Sequence, residues 1–468
     1  MKLPLFALLA SVAIPAFAEI DRTKKPEPDP APAASFPDYT TVTLPNGLKV
    51  FVIEDDRKPT MTLRLVLRTG SLFDGPKTGT ARFVASLLNR GTEHRDAAAF
   101  AYETDSIGMT VEAMASPDYL AVGATGLTKY TDKILDLFTD AIFHATFPAD
   151  QFAKLQKKTL SGIEQEKQQP AMLASKLTGK VLYGQHPYGD YLTPESVNAI
   201  SRDDLVAFHK THFVPNNATL AIVGDVKASE IIAEIQRIFG PWQKGTETLP
   251  QLPTLPALHG ITIHLVDRPG SVQSDIVVAQ PGPPRNNPDS PELNVVNATI
   301  GGGFSGRLFQ NLREKHGWTY GAYSAFDLRK YAGGFEANAE TRNEVTGAAV
   351  AETIKEIARL REEPAQESEI ALQRQYNVGN YLLSLENSTR TAQRVQDIDL
   401  YNLPADFYKT YARRMSATTP ANVEELAKKY LSSTDLAIIV VGEAKDVRSD
   451  LEKIGKVIVY DQDLKPVQ

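Results

Sequence analysis

An internal echo restricts this chain more than any other feature. Ser201-Arg202-Asp203-Asp204-Leu205 opens a helical stretch that leads into Ala218-Thr219-Leu220-Ala221-Ile222-Val223-Gly224. Much later, Thr419-Pro420-Ala421-Asn422-Val423 opens another, which leads into Leu436-Ala437-Ile438-Ile439-Val440-Val441-Gly442. Each copy starts on a helix N-cap residue, Ser201 with an acid three positions on and Thr419 with proline at the first helical position. Each closes with a buried-type strand that ends in glycine. Gly224 and Gly442 stand 218 residues apart in a chain of 468. That is close to half, so one folding unit is used twice.

Between the copies, Trp242 to Gly260 holds Pro250, Pro253 and Pro256, the composition of a semi-rigid linker. The expected division is a domain over 39–241, a linker over 242–259 and a second domain over 260–468. Leu48 to Ile53 and Ile261 to Val266 read as the opening strands of the two halves. Leu63, Leu65 and Leu67 alternate with Arg64, Val66 and Arg68, the period-two pattern of a half-buried strand. Ile134, Leu137, Phe138, Ala141 and Ile142 recur at helical spacing. Strands and helices mix without strict alternation, so each half is expected to be an α+β unit, a mainly antiparallel sheet covered by helices.

The ends and the overall charge bear on where the chain works. Residues 1–18 read as a secretory signal: Lys2, an apolar stretch through Leu5, Phe6, Leu8, Leu9 and Val12, then Ala16-Phe17-Ala18 with cleavage expected after Ala18. The apolar run, bounded by Pro4 and Pro15, is below the ~20 residues that span a bilayer, which argues against a stable membrane anchor. Residues 19–38 hold five prolines between Pro26 and Pro37 and read as a spacer. The compartment expected is the bacterial periplasm. There is no cysteine, which excludes both a lipoprotein anchor and a disulfide framework. A net charge of -7 gives no positive field for nucleic acid.

Several segments resemble the pitrilysin/insulinase group of zinc metallopeptidases, which includes the mitochondrial processing peptidase and bacterial two-subunit peptidases. They are Leu44-Pro45-Asn46-Gly47-Leu48-Lys49-Val50, Gly70-Ser71-Leu72-Phe73-Asp74, Gly184-Gln185-His186-Pro187-Tyr188-Gly189 and Gly301-Gly302-Gly303-Phe304-Ser305. Active members carry H-x-x-E-H on a helix, two zinc ligands and a general base. Here Gly79-Thr80-Ala81-Arg82-Phe83-Val84-Ala85-Ser86 stands in that place, with Arg82 and Ser86 at the ligand positions and Ala85 at the base position. Arginine is a permanent cation, and alanine moves no proton. No metal is therefore expected on this chain.

Other candidate ligands have blander readings. Arg90-Gly91-Thr92-Glu93-His94 imitates the motif's tail, but Gly91 reads as a helix stop. Glu164 falls near the family's third ligand, yet a carboxylate on a charged helix is usually just solvated. His209 and His212, three apart on one helix, lack a convergent third ligand and read as packing beside Phe208 and Phe213.

In the second half, Leu308, Phe309 and Leu312 mark a short helix that carries Arg313, stops at Gly317 and is followed by a strand from Trp318-Thr319-Tyr320. Taken alone, such an arginine is a solvated face and such a tyrosine is core. The resemblance implies more: Arg313 binds a substrate carbonyl and Tyr320 donates to the oxyanion that develops on hydrolysis. Gly301, Gly302 and Gly303 read as a turn that lets chain or substrate approach closely; no Gly-Lys-Ser/Thr follows to make a phosphate loop.

An oxyanion side without a zinc side implies, by the same resemblance, a homologous partner subunit that brings zinc, a clam-shell pairing of two bilobal chains, and peptide substrates. The rival is a catalytically inactive peptide-binding or scaffold protein. A self-sufficient hydrolase finds no nucleophile or metal triad here.

Overall fold

The computed structural model describes residues 36–246 and 249–467. The expected signal and nearly all of the spacer lie outside the described residues. Phe36 does not belong to a spacer: it is 2% exposed and packs against the Tyr408 ring at 5.5 Å, so the folded body starts before residue 39.

Two six-stranded sheets organise the chain. The first contains β1 (Thr40–Thr43), β2 (Lys49–Glu54), β3 (Thr60–Leu67), β4 (Thr110–Ala115), β5 (Leu120–Leu127) and β6 (Ala218–Gly224), in the order β1-β2-β6-β3-β5-β4. The second contains β7 (Ile261–Asp267), β8 (Gln273–Gly282), β9 (Ala322–Asp327), β10 (Gly333–Arg342), β11 (Leu436–Gly442) and β12 (Lys456–Tyr460), in the order β12-β7-β11-β8-β10-β9. Five strands repeat slot for slot. The echo strands β6 and β11 fill the same slot, parallel to β2 and β7 and antiparallel to β3 and β8. The sixth strand differs, since β1 comes from the start of the chain and runs antiparallel to β2, whereas β12 comes from its end and runs parallel to β7.

Local chemistry accounts for the echo. Ser201 and Asp204 form a reciprocal capping box at the helix Arg202–His212, and Thr419 with Asn422 forms another at Pro420–Tyr430. Gly224 has φ +146, and a Cβ there would lie 2.0 Å from the Thr60 carbonyl oxygen. The strand cannot end this way on any other residue without strain.

One face of the first sheet packs under Thr80–Leu87, Thr131–Phe143, Arg202–His212 and Ala228–Phe239. In the second half, Ser290–Ile300, Thr346–Glu362, Phe407–Ala417 and Pro420–Tyr430 pack in the same way. The opposite faces are covered by exchange. Helix Pro170–Tyr183, from the first half, lies on β8 and β11; helix Ser388–Leu400, from the second, lies on β3 and β6. Hence β3 is buried on both faces rather than half-buried: Arg64 and Val66 are 7% and 1% exposed because Gln396 and Leu400 sit above them. Alternation within β3 could not reveal a cover that comes from more than 300 residues away.

The stretch between the halves forms no helix or strand in its described part, but Leu252, Leu255 and Leu258 rest on the apolar cluster below helix Pro170–Tyr183. Among the described residues no helix is long and apolar enough to cross a membrane.

Candidate active site in two parts

The first part is the helix Thr80–Leu87. Asp74 fixes its start, its carboxylate accepting the N–H groups of Gly79 and Ala81 at 2.7 Å each. Burial pushes this carboxyl up to about 6. Phe83, Val84 and Ala85 turn inward and are buried, while Arg82 and Ser86 emerge. The Ser86 hydroxyl is used within the helix and donates to the Arg82 carbonyl at 2.8 Å.

Across a cavity of about 250 Å³, helix Ala149–Glu166 presents Lys158, Thr159, Gly162, Ile163 and Glu166. Glu166 is held by Lys176 at 2.6 Å. Glu164 does not line the cavity: it is exposed and pairs with Lys167 at 3.4 Å. An arginine, a committed hydroxyl and a buried methyl do not fit zinc. Among the described residues no three His, Cys, Asp or Glu side chains come together to hold a metal ion.

His94, His144, His209 and His212 have structural roles. Gly91, at φ +153, lies beyond the helix, and His94 turns to Asp140 at 2.7 Å while Glu93 meets His144 at 3.2 Å. His209 donates from Nε2 to the Ile142 carbonyl at 2.8 Å and packs on Phe213; His212 packs on Phe208 and Phe73. The two rings serve different neighbours and do not converge.

The second part lies at the edge of the other sheet. After the glycine turn the chain winds into a wide helix over Phe309–Lys315, where the His316 N–H reaches back five residues to the Asn311 carbonyl at 3.1 Å. Such π-type turns often occur at functional sites. Gly317, at φ +65, ends it. The Arg313 guanidinium lies 5.0 Å from the centre of the Phe309 ring and donates to the Tyr320 carbonyl. Tyr320 is 87% exposed, and its hydroxyl makes no hydrogen bond among the described residues.

The strand expected from Trp318 starts only at Ala322. Trp318 stacks on His316 at 4.0 Å, and Thr319 closes a turn onto Gly321, so Tyr320 projects from a loop and not from a sheet. The structure thus brings Arg313 and Tyr320 together, with the tyrosine free to reach outward.

Gly301 and Gly302 have a packing reason. A Cβ on Gly301 would lie 2.7 Å from Ser324, whose N–H donates to the Gly301 carbonyl, and one on Gly302 would lie 2.7 Å from Ala298. Gly303 is less confined, 3.8 Å from the Tyr376 ring. Sequence reasoning missed the aromatic group beside Arg313: Phe304 lies 5.0 Å from Phe309 and 6.4 Å from Tyr323, and Phe304 is 68% exposed. The only hint was an aromatic directly after a glycine run, where turn residues are usually polar.

The chain is thus built of two repeats, each a six-stranded sheet covered by helices, with Arg82 and Ser86 exposed on a helix of the first and Arg313 beside Tyr320 in the second. Residues 49–192 match Insulinase (Peptidase family M16), and residues 199–377 match the Peptidase M16 inactive domain. The chain belongs to the M16 insulinase family of peptidases. The second match includes β6, which the structure builds into the first sheet. An uncharacterized zinc protease of Mycobacterium leprae is 26% identical over 61% of this chain and 65% of its own length. One from Bacillus subtilis is 25% identical over 75% of this chain and 86% of its own. A crystal structure of a peptidase M16 inactive domain from Pseudomonas fluorescens aligns with TM-score 0.80 and 28% identity, covering 86% of this chain and 98% of that one.

Proposed function

We propose that this chain is the non-zinc subunit of a heterodimeric metallopeptidase that cuts peptides. The observation behind the reading is a mismatch between two parts of one molecule. By the family resemblance Arg82, Ala85 and Ser86 stand at the zinc-motif positions, yet Arg313 and Tyr320 stand together and exposed at the edge of the other sheet. A homologous partner bearing zinc would complete the site. Arg313 would then hold a substrate carbonyl, and the Tyr320 hydroxyl would donate to the oxygen on which charge builds. A donor aimed at developing charge stabilises the transition state more than the ground state. On this reading the signal expected in residues 1–18 would bring the chain to the periplasm, and the substrates would be unfolded peptides.

The test is peptide hydrolysis and zinc content for this chain, for a zinc-motif homologue from the same organism, and for the two mixed. Activity that appears only in the mixture supports the shared site. No gain on mixing favours an inactive peptide-binding scaffold, and zinc-dependent activity of this chain alone contradicts the reading.

A further inference from the structure

A cavity of about 650 Å³ lies outside both parts of the candidate site, where three helices of the first half end side by side: Thr131–Phe143, Arg202–His212 and Ala228–Phe239. It shares no lining residue with the cavity below Arg82. A helix end leaves carbonyls without partners inside the helix, and lysines of the last turn often bond to them. Here other side chains do that work. His209 Nε2 donates to the Ile142 carbonyl at 2.8 Å, Trp242 Nε1 to the Phe213 carbonyl at 2.9 Å, and Asn46 Nδ2 to the Phe239 carbonyl at 2.6 Å. Lys210 and Lys244 both line the cavity and are exposed, and their ammonium groups make no ion pair or hydrogen bond among the described residues.

The walls are aromatic and fixed in place. Phe143 stands edge-on to Trp242 at 5.3 Å, and the His209 ring lies 4.2 Å from Phe213. Burial pulls the His209 pKa below its usual value, which keeps that ring uncharged at neutral pH. The loop that carries Trp242 and Lys244 is fastened by two asparagines. Asn46 also donates to the Trp242 carbonyl at 3.2 Å, and Asn216 exchanges two bonds of 2.9 Å with the Gly245 backbone. A Cβ on Gly245 would lie 2.4 Å from the Val214 side chain, so the loop sits tight against the wall. A preformed, mainly apolar cleft of this size with a few polar groups is the ordinary form of a small-molecule site. No Asp or Glu is among the described residues that line it, although acids exceed Lys and Arg by seven over the whole chain.

We infer that this cavity binds a small aromatic carboxylate, its ring among Phe143, Phe213 and Trp242 and its carboxylate met by Lys210 and Lys244. Aromatic walls favour a flat ring that meets them edge-to-face or offset, and charge-assisted bonds to a carboxylate belong to the strong class of hydrogen bond. The site needs neither a partner subunit nor the arginine-tyrosine loop, so it stands or falls separately from the shared-site reading.

The experiment is isothermal titration calorimetry of the intact chain with three probes: naphthoate, naphthamide, which has the same shape without the charge, and decanoate, which carries the charge on a flexible chain. Naphthoate should bind, and the other two should bind about tenfold more weakly or worse. Lys210→Met and Lys244→Met keep the hydrocarbon stem at exposed positions. Each should weaken naphthoate by about fivefold and leave naphthamide unchanged. Lys157→Met removes the same charge away from the cavity and should leave naphthoate within about twofold. No binding of naphthoate at about 1 mM, naphthamide or decanoate binding as tightly as naphthoate, or equal losses at positions 157 and 210 would overturn the inference.

Discussion

On the second sheet, the face crossed by helix Pro170–Tyr183 is hydrocarbon: Val277, Ala279, Ala437 and Ile439 lie under Leu173, Ala174 and Leu177. The matching face of the first sheet, crossed by helix Ser388–Leu400, is polar. Arg64 and Thr219 occupy the slots of Val277 and Ala437, and Gln396 spans them, accepting from Arg64 at 2.7 Å and donating to the Arg64 and Thr219 carbonyls at 2.8 and 3.0 Å. Asp399 on the same helix meets Lys49 at 3.0 Å and also pairs with Arg68. One plan thus carries two kinds of seam. Repetition of strand order conserves shape, and the chemistry of each face is free to diverge if every buried polar group keeps a partner.

The sharpest break should come at the echo glycines. Gly224→Ala meets both a positive φ and a backbone oxygen, and should cost on the order of 4 kcal/mol. Gly442→Ala meets chiefly the Ser274 side chain, at 2.3 Å, and should cost about half as much, because a hydroxyl rotates and a carbonyl in a sheet does not. Urea unfolding of the two variants measures the difference.

The seams come next. Gln396→Leu takes the amide acceptor from the Arg64 guanidinium, which keeps the Tyr119 ring at 5.4 Å, and the donor from two backbone carbonyls, and should cost about 3 kcal/mol. Leu177→Ala, a cavity in the apolar seam, should cost a similar ~3 kcal/mol. They part on rescue. Adding Arg64→Leu to Gln396→Leu should recover much of the loss, since an apolar pair replaces a buried charge that has lost its amide acceptor. A double variant no more stable than Gln396→Leu would contradict the polar-seam account.

The smallest effect depends on pH. His264 and Phe51 occupy equivalent slots, opposite Ile439 and Ala221. Burial pulls His264 down to about 4 from 6.5, and its Nδ1 lies 2.9 Å from the Tyr460 hydroxyl on β12. The unfolded chain therefore takes up a proton that the folded chain refuses. This contribution to stability is complete above pH 6.5 and is lost as pH falls from 6.5 toward 4. Between pH 7 and pH 5 the wild type should lose about 1–2 kcal/mol more than His264→Gln. Equal losses in urea melts would show that His264 is not held neutral.

The repeat was legible because its marks are local. Caps at Ser201 and Thr419, strands ending in Gly224 and Gly442 and the apolar face of Thr131–Phe143 each follow from a few neighbouring residues. The exchanged helices were not, because Gln396 and Arg64 are 332 positions apart and neither pattern contains the other. At the site, Arg82, Ala85 and Ser86 were singled out by the family resemblance, and only their unsuitability for zinc follows from residue type. Tyr320 was placed on a strand because Trp-Thr-Tyr has high strand propensity, which the Gly317 stop and the Thr319 turn override. The phenol is more exposed as a result.

The most direct measurement is steady-state hydrolysis by the assembled pair, with Tyr320→Phe in this chain and the partner unchanged. The substitution removes one hydroxyl that is exposed and unbonded within this chain, so folding and assembly should be unaffected. A shared site requires kcat to fall by ~100-fold with KM little changed. Activity equal to wild type would show that this chain contributes no oxyanion donor.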